Sequence, residues 1–203
     1  SSAASDVYKR QGYWIDHWTY VPKLVDNYLK IYPESKDRLL FSSCIGWPEI
    51  SARVLPMRER LIDTGHGLRQ YEAVKSAVVP AAKVPDASVY VKLFFLAALK
   101  CATLDQRQAG LEMEAGKPGW NDALNGLPGL FGSSSSECAD LLMLLRRLRD
   151  WSTRTEIAFP SELIDFVRRV DLLLRRFDFC REPSPGFWRA SVELREEWRE
   201  KVY

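Results

Sequence analysis

One stretch of the chain, from Gly116 to Gly132, combines an aromatic ring, an amide and a carboxylate within a run rich in glycine and proline. Trp120, Asn121 and Asp122 are consecutive in it. Glycine and proline set particular backbone angles, so such a run predicts a fixed, irregular loop. A loop of this kind could hold a sugar against the indole face and place a proton donor beside its glycosidic oxygen. The alternative is a glycine-rich connection between two helices that binds no ligand.

Two further carboxylates, Glu112 and Glu114, precede this loop. If Leu111 to Ala115 is extended, both glutamates lie on one face, because alternate side chains of a strand point the same way. Cleavage of a glycosidic bond needs an acid that protonates the departing oxygen. It also needs either a second carboxylate, which activates water, or a phosphate ion, which attacks the sugar. The acids near Asp122 suit both reactions, but a chain with 28% charged residues also produces such clusters by chance.

The composition argues against several other functions. The four cysteines lie far apart and only two histidines, His17 and His66, are present, so no zinc-site spacing occurs and no metal is expected. A net charge of +2 gives no preference for nucleic acid, and no apolar run is long enough to cross a membrane. Isolated cysteines predict reduced thiols and a cytoplasmic location.

The sequence Gly119-Trp120-Asn121-Asp122-Ala123-Leu124-Asn125 resembles the W-N-D-x-x-N signature of the inverting disaccharide phosphorylases. These enzymes form the cellobiose and chitobiose phosphorylase family (glycoside hydrolase family ninety-four). Three other patches are similar to a branch of the same family. They contain Asp16, His17 and Trp18; Arg69 and Gln70; and Glu112 and Glu114.

The resemblance implies a mainly α fold, a fragment of an (α/α)6 toroid of the six-hairpin glycosidase type. It implies that Asp122 is the general acid, that Trp120 lines the sugar subsite, and that Asn121 supports them. The residues of the other three patches would bind substrate. The expected reaction is inverting phosphorolysis of a β-linked gluco- or related oligosaccharide to an α-sugar 1-phosphate. Inorganic phosphate is the co-substrate, and no organic cofactor is expected.

Two departures from the family leave alternatives open. Better-known members have aspartate where this chain has Gly119, and the family's phosphate-binding residues have no recognisable counterpart here. One alternative is therefore an inverting hydrolase in which Glu112 or Glu114 is the base for Asp122. The other is a non-catalytic helical module that binds sugar or acts as a scaffold.

Hydrophobic periodicity and capping residues predict the elements that position these groups. A first helix, Tyr13 to Tyr32, should end at Pro33 and place Val21, Tyr28 and Leu29 near one apolar face. Short strands or irregular loops are expected around 54–74, with a hairpin turn at 64–67. The later helices are predicted as Ala87 to Leu104 with Asp86 as N-cap, Ser134 to Trp151 with a capping box to Glu137, Ser161 to Phe177, and a last helix from Ser184-Pro185 onwards.

The ends of the chain suggest a fragment. Ser1 to Gln11 has no apolar core and looks non-native, so a disordered leader is expected there, followed by a partial catalytic domain over 12–203. The charged helical pattern that runs to Tyr203 predicts truncation at the C-terminus. A fragment of this kind can be inactive by itself, and apolar faces without their partner helices predict poor solubility. Trp151, Trp188 and Trp198 are expected to be core residues.

Overall fold

The computed structural model of the protein describes residues 15–42, 44–47, 50–70, 74–79, 84–112, 133–152, 156–177 and 182–202. The predicted leader, Ser1 to Gln11, lies outside these ranges. Within them the chain is mainly helical, as the sequence predicts. The helices are α1 (Tyr20–Ile31), α2 (Lys36–Leu40), α3 (Met57–Arg60), α4 (Val89–Cys101), α5 (Ser135–Trp151), α6 (Ser161–Arg176) and α7 (Pro185–Val202). The strands are β1 (Ile50–Val54), β2 (Leu61–Asp63), β3 (Leu68–Gln70), β4 (Val74–Val79), β5 (Leu111–Glu112) and β6 (Ser133–Ser134).

Helix α4 occupies the centre of the hydrophobic core. Apart from Lys92 and Lys100 its residues are apolar or aromatic on all sides, and a helix of that composition is stable only where other elements cover it. Helices α2, α5 and α6 pack against it, and α7 packs on α6. The hydroxyl of Tyr90 on α4 donates a hydrogen bond of 3.1 Å to the carbonyl of Leu148 on α5. The prediction of a buried helix in this region is therefore confirmed.

The helix starts show which capping predictions were right. Helix α4 begins at Val89, and its N-cap is Ser88, whose hydroxyl accepts the N–H of Val91. The prediction that Asp86 is the cap was wrong, because Asp86 lies two residues too early for its carboxylate to fill that position. The Ser134 cap of α5 is confirmed, since its hydroxyl accepts the N–H of Glu137 at 3.3 Å.

The last two helices follow their predicted boundaries. Helix α6 begins at Ser161 after Pro160 and ends at Arg176. Helix α7 begins at Pro185, and the hydroxyl of Ser184 accepts the N–H of Phe187 at 3.2 Å. Proline fits the first turn of α7 because the N–H that it lacks has no intrahelical acceptor there.

The β structure extends further than the expected 54–74. Strand β1 pairs antiparallel with β4, from Ile50↔Val79 to Val54↔Val74. Strands β2 and β3 form the predicted hairpin with the pair Asp63↔Leu68 next to the turn. Gly65 in that turn has a φ of 76°, a left-handed conformation that glycine adopts without strain.

The first helix differs from its prediction in length and in its buried face. A 3-10 turn, Ile15–Thr19, precedes α1, and Pro33 begins a second 3-10 turn after it. Leu29 is buried, as expected, but Val21 and Tyr28 are exposed, so their predicted place on the buried face was wrong. Together with Leu24 and Ile31 they form an exposed row along the helix, here called the α1 stripe.

Charged pairs hold the other side of α1 against α5. The ammonium of Lys23 lies 2.9 Å from a carboxylate oxygen of Asp140, and Nε of Arg147 lies 2.9 Å from Asp26. This polar contact directs the α1 stripe away from α5, because opposite sides of a helix cannot face the same neighbour. No helix in the described ranges has both the length and the apolar character that crossing a membrane requires.

Candidate functional site

The residues that flank positions 113–132 lie side by side. Strands β5 and β6 pair antiparallel, with Leu111 opposite Ser134 and Glu112 opposite Ser133. The backbone N–H of Glu112 also donates a hydrogen bond of 2.8 Å to the carbonyl of Thr103. Residues 113–132 connect the two strands, so the chain leaves the helical framework and returns to it at one place, here called the neck.

The carboxylate of Glu112 is buried at the neck and bound by two side chains of α7. It is 8% exposed; Oε1 forms an ion pair with the guanidinium of Arg195, and Oε2 accepts a 3.1 Å hydrogen bond from Nε1 of Trp188. Trp188 and Arg195 are seven residues apart, two helical turns, and therefore lie on one face of α7. A buried carboxylate is stable only with a counter-charge and hydrogen-bond donors, and this helix face supplies both.

The other end of the segment is fixed by a buried aspartate. Oδ2 of Asp105 accepts a 2.6 Å hydrogen bond from the hydroxyl of Ser133. Oδ1 accepts the backbone N–H groups of Arg107 and Ala109 at 2.9 and 3.0 Å. The N–H of Asp105 donates in turn to the carbonyl of Gly110 at 2.8 Å. One side chain thus closes the turn over 105–110 and binds it to β6.

This turn also contacts the connection between α6 and α7. The backbone N–H of Ser184 donates a hydrogen bond of 2.8 Å to the carbonyl of Gln106. The side-chain amide of Gln108 donates to the carbonyl of Phe177, and the backbone of Gln108 is left-handed, with a φ of 56°. A non-glycine residue with positive φ needs surrounding contacts that fix it, and these hydrogen bonds provide them. The neck is therefore built from α5, α7 and the turn after α4.

Trp18 from the first patch reaches the same end of α5. Its Nε1 donates a 2.8 Å hydrogen bond to Oε2 of Glu137, which is 7% exposed, in the first turn of that helix. The ammonium of Lys100, also buried, lies 5.2 Å from the centroid of the Trp18 ring, within range of a cation–π interaction. Glu137 lies four residues after Ser133, so this group of side chains is close to the neck in sequence.

The remaining predicted site residues are placed in different ways. His17 is half-buried, and its ring centroid lies 5.3 Å from that of Tyr20. Asp16 belongs to the 3-10 turn before α1. Arg69 and Gln70 belong to β3, where they pair with Ile62 and Leu61 of β2. Trp120, Asn121, Asp122 and Glu114 lie outside the described residues.

Sequence reasoning named Glu112 but missed the groups that hold it. Trp188 was expected to be a core residue; its ring is half-buried, but its N–H binds the Glu112 carboxylate. Arg195 lies in a helix that alternates acids and bases, and nothing in that pattern distinguishes it from a surface charge. Their seven-residue spacing places Trp188 and Arg195 on one helix face but gives no sign of a partner 76 residues from Trp188. Trp151 is buried as predicted.

Two thiols near this region are shielded from solvent. Cys101 ends α4 and Cys138 lies in the first turns of α5, and both are free and half-buried. Burial raises the pKa of the Cys101 thiol to about 11, with a smaller contribution from Cys138. Burial, together with the charge of Asp105, also raises the pKa of Cys138. These thiols are therefore protonated at neutral pH and are poor nucleophiles.

The described ranges contain no group of three or more histidine, cysteine, aspartate or glutamate side chains arranged to hold a metal ion. Comparisons of the sequence with protein-family models and with curated proteins, and of the fold with solved structures, returned no match.

Proposed function

We propose that this protein belongs to a carbohydrate-active enzyme that cleaves a β-linked gluco- or related oligosaccharide by inverting phosphorolysis. The observation that supports the proposal is the neck. Residues 113–132, which include Trp120, Asn121 and Asp122, are joined on both sides to a buried polar framework. Glu112 anchors that framework on one side and Asp105 on the other. Catalytic groups need supports that hold them to within a fraction of an ångström, and a fixed start and end is the first requirement.

In the proposed reaction Asp122 donates its proton to the glycosidic oxygen as the bond to the anomeric carbon breaks. A phosphate oxygen attacks the opposite face of that carbon, and the new C–O bond gives an α-sugar 1-phosphate and a free acceptor hydroxyl. Trp120 provides a flat apolar surface for the sugar ring, and Asn121 a supporting hydrogen bond. Asp122 then regains a proton from solvent before the next turnover.

The surroundings of Glu112 favour phosphorolysis over hydrolysis with that residue as base. A base in an inverting hydrolase must present a free carboxylate oxygen to a water molecule beside the sugar. Each oxygen of Glu112 is instead bound by a protein donor, one by Arg195 and one by Trp188. We assign Glu112 a positioning role at the neck. Glu114 remains the candidate base of the hydrolase alternative.

The test is product analysis with and without inorganic phosphate. The protein would be incubated with β-linked gluco- and manno-oligosaccharides, beside Asp122→Asn and a control variant, Asp150→Asn, at an exposed position on α5. Sugar 1-phosphate that forms only with phosphate, persists in the control and falls on the order of a hundredfold or more in Asp122→Asn supports the proposal.

Other results would redirect the assignment. Free sugar released at the same rate without phosphate would indicate a hydrolase and direct attention to Glu114. Full activity of Asp122→Asn would exclude Asp122 as the acid. If folded protein forms no product but binds an oligosaccharide with an affinity that Asp122→Asn leaves unchanged, the non-catalytic sugar-binding module becomes the better description.

A further inference from the structure

A cavity of about 290 Å³ lies along the side of α4 that faces α6 and α7, between Lys92 and Leu99. None of the residues that line it belongs to the neck. The residues that define its character are Trp47, Lys92, Phe95, Leu96, Leu99 and Trp198. A volume of this size is at the lower end of the range for small-molecule sites. At about 30 Å³ per water molecule, it has room for roughly ten non-hydrogen atoms.

Three aromatic rings form one wall of the cavity. Phe95, which is buried, lies between two indoles: its centroid is 5.9 Å from that of Trp47, edge to face, and 4.8 Å from that of Trp198. The N–H of Trp198 is shielded from solvent and has no acceptor among the described residues, so this indole presents carbon atoms rather than its N–H to the cavity. Such a wall suits an apolar, flat ligand body.

The charged group among these lining residues is Lys92. Its ammonium lies 4.4 Å from the Trp47 ring centroid and donates to the carbonyl of Gly46. An ammonium has three donor hydrogens and no acceptor, so hydrogens remain for another partner. Burial lowers the pKa of Lys92, and the charge of Asp86 raises it. A partly desolvated ammonium gains from an anionic partner.

We propose that this cavity binds a small monocarboxylate with an aromatic or similarly flat apolar body. The carboxylate pairs with the Lys92 ammonium at one end, and the apolar body lies against Trp47, Phe95 and Trp198. A neutral ligand of the same shape fills the cavity but lacks the charge-assisted hydrogen bond. A cationic ligand is disfavoured because it meets the ammonium.

The probes are phenylacetate and its neutral analogue 2-phenylethanol, titrated into the protein and followed by calorimetry. A charge-assisted hydrogen bond stabilises a complex by about 1.5–3 kcal/mol, so the acid should bind at least about tenfold more tightly than the alcohol. Lys92→Met keeps the apolar stem and removes the charge. This variant should bind the acid only as tightly as the alcohol. The control Lys201→Met, at an exposed lysine of α7, should leave the difference in affinity between acid and alcohol unchanged.

Two other variants test the location. Leu96→Phe places a larger side chain in the cavity and should abolish binding of both probes. Asp86→Asn removes the carboxylate nearest the ammonium and should strengthen binding of the acid alone. Circular dichroism and thermal unfolding verify that each variant is folded. The proposal is overturned if acid and alcohol bind equally to the unaltered protein, if Lys92→Met and Lys201→Met behave alike, or if folded protein binds neither probe at millimolar concentration.

Discussion

The hydroxyl of Ser133 donates a 2.6 Å hydrogen bond to the carboxylate of Asp105, across 28 residues of sequence. This bond joins the first residue of β6 to the turn that follows α4. Asp105 is 8% exposed and also accepts two backbone N–H groups, so its carboxylate has little freedom to move. The position of Ser133 is therefore set by this side chain together with the pairing of Ser133 and Glu112 in the β5–β6 ladder.

We expect Gly110→Ala to disturb the neck. A Cβ at this position would lie 2.5 Å from the Ser133 hydroxyl and 3.3 Å from Oδ2 of Asp105, the two atoms that form the bond. Ser133 must move, which leaves the buried Asp105 oxygen without its donor, at a cost of about 1–3 kcal/mol. The free energy of unfolding, measured with urea, should fall by that amount.

Gly186→Ala is the matched control for that substitution. Gly186 lies in the first turn of α7, where a Cβ would meet Phe177 at 3.4 Å, an ordinary van der Waals distance. Alanine is also the better helix former, so stability should be unchanged or slightly higher. If both variants lose the same stability, the close approach at Gly110 is not what matters.

Glu112 and Arg195 should be strongly coupled in a double-mutant cycle. Removing one partner leaves a buried charge unpaired, so Glu112→Gln or Arg195→Met alone should cost about 3–5 kcal/mol. The double variant should cost much less than the two single losses added together, because it leaves neither charge buried. Urea unfolding of the four proteins gives the coupling. Additive losses would mean that the ion pair contributes little.

The exposed Cys44 should react with iodoacetamide at pH 8 well before Cys101. Cys101 has a pKa of about 11 and is half-buried, so almost no thiolate is available at this pH. Peptide mapping by mass spectrometry at several times gives the order of labelling. Equal rates at the two positions in folded protein would contradict the burial described for the end of α4.

The Cys101 thiol also makes the free energy of unfolding depend on pH in the alkaline range. Well below pH 9 the Cys101 thiol is protonated in both the folded and the unfolded chain and has no effect on the free energy of unfolding. Between pH 9 and about 11 the unfolded chain releases this proton first, so the free energy of unfolding falls as pH rises. Lysines and tyrosines titrate in the same range. The measurement is therefore the difference in the free energy of unfolding between the unaltered protein and Cys101→Ala. This difference should become smaller as pH rises.

The α1 stripe should lower solubility. Leu24 and Ile31 are 67% and 69% exposed, and with Val21 and Tyr28 they form a continuous apolar row. Rows of this kind associate with other apolar surfaces. Leu24→Lys combined with Ile31→Lys should reduce self-association in sedimentation velocity and leave the melting temperature unchanged. A large drop in melting temperature would show that the row is packed in solution.

Local sequence signals predicted most of the helical framework. Four signals each depend on residues within a few positions of one another. They are the Ser134 cap, the Ser184 cap, the hairpin turn at Gly65 and the almost wholly apolar pattern of α4. Such signals were sufficient to place α4 to α7 within a few residues. The cap of α4 was placed two residues too early, at Asp86 rather than Ser88, because the sequence alone did not show where the first helical turn lies.

Side-chain partnerships across long distances were not predictable in the same way. Glu112 binds Trp188 from 76 residues away, and Trp18 binds Glu137 from 119 residues away. Each of these residues has an ordinary local setting, a short strand, a helix or a turn. Only the packing of α5 and α7 around α4 brings them together. The exposure of Val21 was not predictable for the same reason, since the rotation of α1 depends on which of its faces packs on the rest of the fold.

The pairing of Glu112 with Ser133 has a consequence for how this protein can change. Backbones that are directly opposite in an antiparallel ladder are about 5 Å apart, a gap that a tight two-residue turn can bridge. Connections of very different length can therefore join Glu112 to Ser133. We expect the described helices to keep their arrangement when a two-residue turn replaces residues 113–132.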